Sequence, residues 1–158
     1  MRPDLVLRVF ADHYQFFVHD GDSNPFDPLP SYSEETVARG WTRTERALSF
    51  ATVGDLNDHR LDVFFRKPPT LVGYDRATIH GLNLRFGALG LYDTEDKELA
   101  RLDPGDYAIV MVVYNLGAQQ SAEEEELSNE AFLQRDDWER YAMYVYAVER
   151  TVEDDIFR

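Results

Sequence analysis

A chain of 158 residues, 44% hydrophobic and 13% aromatic, has the size and apolar content of one folded domain, so we expect a single β-rich domain over residues 1–158. Asp and Glu number 30 against 16 Lys and Arg, and the formal net charge of −14 disfavours direct binding to nucleic acid or to an anionic membrane. The absence of cysteine excludes disulfides and thiolate chemistry, and it agrees with a cytoplasmic location.

The N-terminal part of the chain predicts two strands, over 5–10 and 14–18, because it is rich in branched and aromatic residues. His13 and Gln15 alternate with Tyr14, Phe16 and Val18, so we expect the latter three side chains to share one buried face. Charged residues interrupt the first fourteen positions, which argues against a signal peptide.

A loop and one short helix follow. Residues 20–33 contain three prolines and are typical of a loop. Ser33 is a good helix N-cap, two glutamates follow it in the first turn, and Gly40 is suited to ending the helix. We therefore predict one short helix between Ser33 and Gly40.

The middle of the chain predicts four further strands. Residues 47–53 and 61–65 have strand composition, and residues 54–58 between them predict a hairpin loop. Residues 76–86 and 89–93 predict two weaker strands, since glycines interrupt them.

The C-terminal third contains the most apolar run. A turn at 103–106 precedes residues 107–114, which predict a central strand covered on both faces. Leu127, Ala131 and Phe132 are spaced for one face of a short helix, and 141–148 predict the last strand. The polar tail, 151–158, is expected to fray.

Many short strands at nearly regular spacing, with one or two short helices, predict a mainly β fold of the β-sandwich type. A jelly-roll-like order is one arrangement compatible with this pattern. No stretch reaches the roughly 18 apolar residues that a membrane span needs.

No catalytic motif is present. The glycine-rich piece 87–90 lacks the lysine of a phosphate-binding loop and predicts a bulge or turn. His13, His19, His59 and His80 contain no H-x-H pair, so we expect surface or hydrogen-bonded histidines rather than metal ligands. We therefore expect no catalytic residue, no metal and no cofactor, and a hydrolase that uses clustered carboxylates ranks last among the hypotheses.

A run of carboxylates is the sharpest feature of the sequence. Most charge runs are solvated faces, but adjacent carboxylates repel one another and add nothing to folding, which favours a docking patch for a basic protein. Seven residues of this region are candidate partner-binding residues: Glu123, Glu124, Glu125, Glu126, Glu130, Asp136 and Asp137.

Several segments, in their order and spacing, resemble the ComJ family, the inhibitors of the DNA-entry nuclease of competent bacteria. The resemblance extends from about residue 5 to about residue 148. The segments that carry it are 12–18 (DHYQFFV), 22–25 (DSNP), 38–41 (ARGW), 47–50 (ALSF), 63–65 (VFF) and 104–107 (PGDY).

The resemblance implies a small intracellular competence protein that binds and silences a nuclease, without catalytic residues or cofactor. The resemblance does not identify any interface residue of this chain, because no family motif marks one. The acidic stretch 119–137 is longer than the family pattern, so it is either the interface or a solvated insertion.

Two function classes follow from the sequence, while the oligomeric state stays open. The first is an acidic inhibitor, of a nuclease, that occupies a basic cleft as a phosphate mimic. The alternative is a small-ligand or carbohydrate-binding β-sandwich, although aromatic side chains of strands are usually buried in the hydrophobic core. Its candidate stacking residues are Trp41, Trp138, Tyr141, Tyr144 and Tyr146.

Overall fold

The computed structural model describes residues 2–118 and 127–158, and these residues form eleven strands and two short helices. In chain order the elements are β1 (Leu5–Ala11), β2 (Gln15–Asp20), α1 (Glu34–Arg39), β3 (Trp41–Arg43), β4 (Ala47–Ala51), β5 (Asn57–Phe64), β6 (Arg76–Leu84), β7 (Ala88–Tyr92), β8 (Asp96–Arg101), β9 (Gly105–Tyr114), α2 (Asn129–Leu133), β10 (Arg140–Ala147) and β11 (Asp155–Ile156). No helix in the described part of the chain is long and apolar enough to cross a membrane.

Two sheets face each other, and the predicted β-sandwich is confirmed. The first sheet has six strands in the order β1-β5-β10-β9-β6-β11, and the second has five in the order β3-β4-β2-β7-β8. Strands β5 and β10 run parallel, whereas the other neighbouring strands of the two sheets run antiparallel. A jelly roll built only from antiparallel strands does not contain such a parallel pair.

Strand β9 lies inside the six-stranded sheet and is covered on both faces, as predicted. Ile109 and Met111 point into the core between the sheets, while Val110 and Val112 belong to a second apolar cluster. Leu71 and Phe157, from outside the sheet, pack against that second cluster. Alternate side chains of a strand point to opposite faces, so the unbroken apolar run supplies apolar side chains both to the core between the sheets and to the second cluster.

The predicted helix is confirmed as α1, together with both of its caps. The Ser33 side chain accepts a hydrogen bond from the Thr36 amide, and the Thr36 hydroxyl accepts one from the Ser33 amide in return. Gly40 has φ 90° and ends the helix, because the left-handed region penalises any residue with a Cβ atom.

Three sequence predictions need correction. Residues 54–58 do not form a hairpin loop: β4 lies in the five-stranded sheet and β5 in the six-stranded sheet, so the loop crosses between them. Tyr14 is 55% exposed and not on the buried face. The polar tail is attached to the sandwich, since β11 pairs with β6, and Asp154 accepts hydrogen bonds from Arg43 and His80.

Of the bulge or turn predicted at 87–90, the bulge is present between Leu89 and Gly90 of β7, whereas the chain turns at residues 85–87. Gly87 supports a first test of the fold. Gly87 has φ 80° between β6 and β7, and a Cβ atom there would overlap the backbone carbonyl of Leu102. We expect Gly87→Ala to lower the free energy of unfolding by about 2–4 kcal/mol, from the left-handed backbone plus the forced shift of a neighbouring strand end.

Gly73→Ala is the matched control, because Gly73 also has positive φ (69°) but a Cβ atom added to it would meet no other atom within 4 Å. It should cost about 1–2 kcal/mol, the backbone part alone. Urea unfolding of both variants measures the difference. Equal losses would show that the Leu102 carbonyl moves aside without cost.

Candidate functional site

At one end of the sandwich, several segments that connect strands of the two sheets lie close together, and we name this end the loop end. It comprises the turn 12–14, the loop 52–56, residues 115–118 and residues 134–139. The strand registers bring these segments together, because Ala11 pairs with Asn57, Gln15 with Ala51, and Arg140 with Tyr114.

Glu139 is the buried centre of the loop end and is only 3% exposed. Its Oε2 accepts hydrogen bonds from His59 Nε2 at 3.0 Å and from the Val53 amide at 3.2 Å. Its Oε1 accepts one from the Gly117 amide at 3.1 Å. One carboxylate therefore ties β5, the β4–β5 loop and the connection after β9 to the start of β10.

The surroundings of Glu139 favour its ionised form. Burial alone raises the pKa of this carboxyl, but the hydrogen bonds from His59, Gly117 and Val53, with the charge of His59, outweigh burial and hold the pKa below its ordinary value. Sequence reasoning missed this role, since Glu139 ends a long series of acidic residues.

The loop end also holds every non-glycine residue of 2–118 and 127–158 that has a positive φ angle: His13, Tyr14, Leu56 and Asn115, at 54° to 60°. Hydrogen bonds hold these conformations in place. The Tyr14 amide donates to Asp55 Oδ1 (3.1 Å), and the Leu56 amide donates to the Ala11 carbonyl (2.8 Å). The Asn115 side chain donates to the carbonyls of Asp136 and Trp138.

Large apolar side chains are exposed among these loops. Tyr14 is 55%, Leu56 60%, Val53 45% and Leu116 40% exposed. Beside Tyr14 lies a small cavity of about 250 Å³, lined by His13, Tyr32, Val37, Ala51 and Thr52. Sequence reasoning missed this surface because the alternation of 14–18 indicates a buried Tyr14.

The predicted acidic residues lie partly at the loop end and partly outside the described residues. Glu123, Glu124, Glu125 and Glu126 fall outside the described residues. Asp136 and Asp137 are exposed at the loop end, whereas Glu130 is exposed on α2, which packs against β1. Arg135 binds both carboxylate oxygens of Asp137, at 2.9 and 2.7 Å, and this contact lowers the pKa of Asp137.

Hydrogen bonds attach both flanks of residues 119–126, which we name the acidic segment, to the sandwich. On one side the Ala118 carbonyl accepts from the Glu139 amide at 2.6 Å. On the other side the Leu127 carbonyl accepts from Arg8 Nη1 at 3.0 Å. Arg8 also binds Asp58 at 2.6 Å and lies 4.3 Å from the centre of the Phe132 ring. Ala118 thus lies at the loop end, and Leu127 lies beside β1.

Each of the four histidines lies beside a carboxylate of the same chain. His19, His59 and His80 are buried, each beside a carboxylate: Asp96, Glu139 and Asp154 respectively. His13 is exposed, with its ring near Asp12. Among the described residues no group of three or more metal-ligating side chains is present.

The five candidate stacking aromatics are not arranged as a sugar platform. Tyr141 and Tyr144 are buried in the two apolar clusters. Guanidinium groups lie over the rings of Trp41 and Trp138, from Arg39 at 3.6 Å and Arg135 at 4.0 Å. Tyr146 is half-buried and lies within 5.8 Å of the Lys67 ammonium group.

A separate open groove of about 530 Å³ lies between α1 and the C-terminal tail. Arg39 and Trp41 line one part of it, and Arg76 and Phe157 another. It contains both guanidinium groups and carboxylates, since Asp75 and Asp155 also line it.

Comparison with solved structures shows the fold. The chain is similar to ComJ, an inhibitor of the DNA-degrading activity of NucA from Bacillus subtilis, with a TM-score of 0.69 over 93% of this chain and 98% of ComJ, at 17% identity. The product of crocagin biosynthetic gene J gives a TM-score of 0.48, at 10% identity over 90% of this chain and 95% of that one. No protein-family model and no curated protein sequence matches the chain. The ComJ-like fold expected from the sequence is thereby confirmed.

Proposed function

We propose that this chain binds and inhibits a DNA-degrading nuclease, by placing its acidic loop end against the basic surface with which the nuclease holds DNA. The observation that carries the proposal is the fold, because ComJ, which has this fold along nearly its whole length, inhibits such an enzyme. The proposed partner is a basic protein, and the chain acts by binding rather than by catalysis.

Charge supports this mechanism. The chain has a net charge of −14, and a nuclease cleft is positive because it neutralises phosphates. Carboxylates that form charge-assisted hydrogen bonds with Arg and Lys take the place of phosphate oxygens. Opposite fields also accelerate encounter, so the acidic segment contributes chiefly to the association rate.

A small-ligand module is the second candidate, and the groove between α1 and the tail is the observation that favours it. Its aromatic wall is less suited to sugar stacking, because Arg39 already covers one face of the Trp41 ring. Titration with a panel of mono- and disaccharides, followed by Trp fluorescence, tests this candidate.

The acidic segment can be tested by changing Glu123, Glu124, Glu125 and Glu126 together to Gln. In a DNA-cleavage assay with nucleases of the same organism, the parent chain should inhibit at molar equivalence with its partner. The variant should associate roughly 10-fold more slowly at low salt, and its affinity should vary less steeply with salt.

The matched control removes four charges at exposed positions outside the loop end: Glu45, Asp103, Glu149 and Glu153 to their amides. This control should bind with nearly the parent association rate. If no nuclease is inhibited by excess parent protein, the proposed function is wrong. If both variants lose rate equally, net charge rather than the acidic segment steers the encounter.

A further inference from the structure

We propose that the apolar side chains Tyr14 and Leu56, with Val53 and Leu116 beside them, anchor the partner, while the surrounding carboxylates form the rim of the contact. This inference rests on the proposed function and names the surface of the chain that the nuclease would cover. The occupant is a basic protein surface with an apolar centre. The acidic segment, in this arrangement, steers the encounter but does not hold the complex.

The four apolar residues belong to one surface, as the hydrogen bonds between their loops show. The Thr52 amide donates to the Tyr14 carbonyl at 2.8 Å, which places the turn 12–14 against the loop 52–56. The Val53 and Gly117 amides donate to the two oxygens of one carboxylate, Glu139, so Leu116 lies close to Val53. The four side chains, with 40–60% exposure, are therefore carried by neighbouring loops.

Their conformation points to a use other than folding. Left-handed backbone at Tyr14 and Leu56 costs about 1–2 kcal/mol at each residue. A polar or glycine residue would adopt it at lower cost and would not expose apolar surface to water. Strained conformations that the surroundings hold in place concentrate at binding and active sites.

The loop end is fixed before any partner arrives. Buried Glu139 holds two of its segments, and Asp55 accepts from the amides of both Tyr14 and Leu56. Side chains on such a fixed backbone lose little conformational entropy on binding, and this favours affinity. Tyr is also one of the residue types that dominate binding energy at interface centres.

The charge of the rim indicates the charge of the partner surface. Asp12, Asp55 and Asp136 lie in the loop-end segments. Two arginines near these segments are engaged by carboxylates of this chain, Arg8 by Asp58 and Arg135 by Asp137. The rim is therefore negative and complements a cationic partner, and the apolar centre excludes water from the contacts.

The test replaces Tyr14 and Leu56 singly by Asn, which removes the apolar side chain but tolerates the left-handed backbone. Binding to the inhibited nuclease is measured by surface plasmon resonance, with association and dissociation rates separated. We expect each variant to bind at least about 30-fold more weakly, through faster dissociation, with the salt dependence unchanged. Phe86→Asn is the control, since Phe86 is similarly exposed (60%) outside the loop end, and its binding should stay within about twofold.

The outcomes separate the two proposals. Failure of the parent chain to inhibit any nuclease overturns the proposed function. Inhibition by the parent together with unchanged dissociation of both Tyr14→Asn and Leu56→Asn overturns only the apolar anchor. Urea unfolding of each variant shows that the fold is retained, and a weaker variant that unfolds is replaced by Tyr14→His or Leu56→Met, for which the anchor predicts partial recovery of affinity.

Discussion

Replacing Glu139 by Gln should lower the free energy of unfolding by about 3–5 kcal/mol, a large part of the stability of a domain of this size. The Gln side chain has nearly the same shape as that of Glu. Its NH2 group, however, would occupy the position of a carboxylate oxygen that now accepts a hydrogen bond, and would therefore face another donor. The Val53 amide, the Gly117 amide and His59 Nε2 all converge on this carboxylate. At least one buried donor is thus left without an acceptor, and the interaction with His59 loses its charge.

Glu98→Gln is the matched control. Glu98 is paired with Arg101 at 2.8 Å, but both side chains are about half exposed, and such pairs contribute roughly 0–1 kcal/mol. Urea unfolding at pH 7 compares the two variants. A loss below about 1 kcal/mol for Glu139→Gln would mean that the loops at this end are held by other contacts.

The variant has a further consequence for binding. Since Glu139 fixes the backbone on which Val53 and Leu116 are presented, loosening it should weaken the complex even though the carboxylate itself is buried. A double substitution with His59→Asn should cost less than the sum of the single losses, because the two residues share one interaction.

Acidification is the second expected large effect: stability should fall as the pH drops below 6.5, and more steeply below about 4.5. Burial lowers the pKa of His80 below 6.5 despite the contact with Asp154, so the unfolded chain binds a proton at a higher pH than the folded chain does. Below about 4.5 the same sign holds for Glu139, whose folded pKa is lowered. Asp154 has a lowered pKa as well, and its contribution is lost below about 3.8, its ordinary value.

Self-repulsion works in the opposite direction, because protonating some of the 30 carboxylates reduces the net negative charge. Self-repulsion changes with pH in nearly the same way in the parent and in Glu139→Gln, so it cancels when the unfolding free energies of the two proteins are subtracted. The difference in unfolding free energy between the parent and the variant should be full above about pH 4.5 and shrink as the pH falls further, since protonated Glu139 resembles the amide. A difference independent of pH down to about 3 would show that the carboxylate charge contributes nothing to stability.

Local patterns were sufficient for most strands and for the helix caps. Ser33 and Gly40 were identified because capping depends on one side chain or one φ angle, and both can be read at a single position. The strand over 107–114 was identified because an unbroken apolar run fits a strand that is covered on both faces. The strands that escaped prediction lack this signal: β8 is an edge strand rich in charged residues, and β3 and β11 contain three and two residues.

The same limit applies to the acidic residues. Asp136 and Asp137 are exposed at the loop end, but composition does not show which carboxylate of this region is buried. Glu139 differs from its acidic neighbours only in what surrounds it, namely two amides and a histidine from distant parts of the chain. Among the candidate stacking residues, Trp41 and Trp138 are covered by guanidinium groups that the fold places over their rings, and no local pattern records this.

Composition and short-range periodicity were enough to establish the class of the fold, its main strands and its strongly acidic character, and the order of a few short segments was enough for the likeness to the ComJ fold. The three-dimensional arrangement was needed to learn that β4 and β5 lie in different sheets, that Tyr14 and Leu56 are exposed, and that Glu139 is buried between three loops. These features depend on contacts between residues that are distant in the sequence, such as Tyr14 with Asp55 and Val53 with Glu139, and no local pattern records the free energies of such contacts.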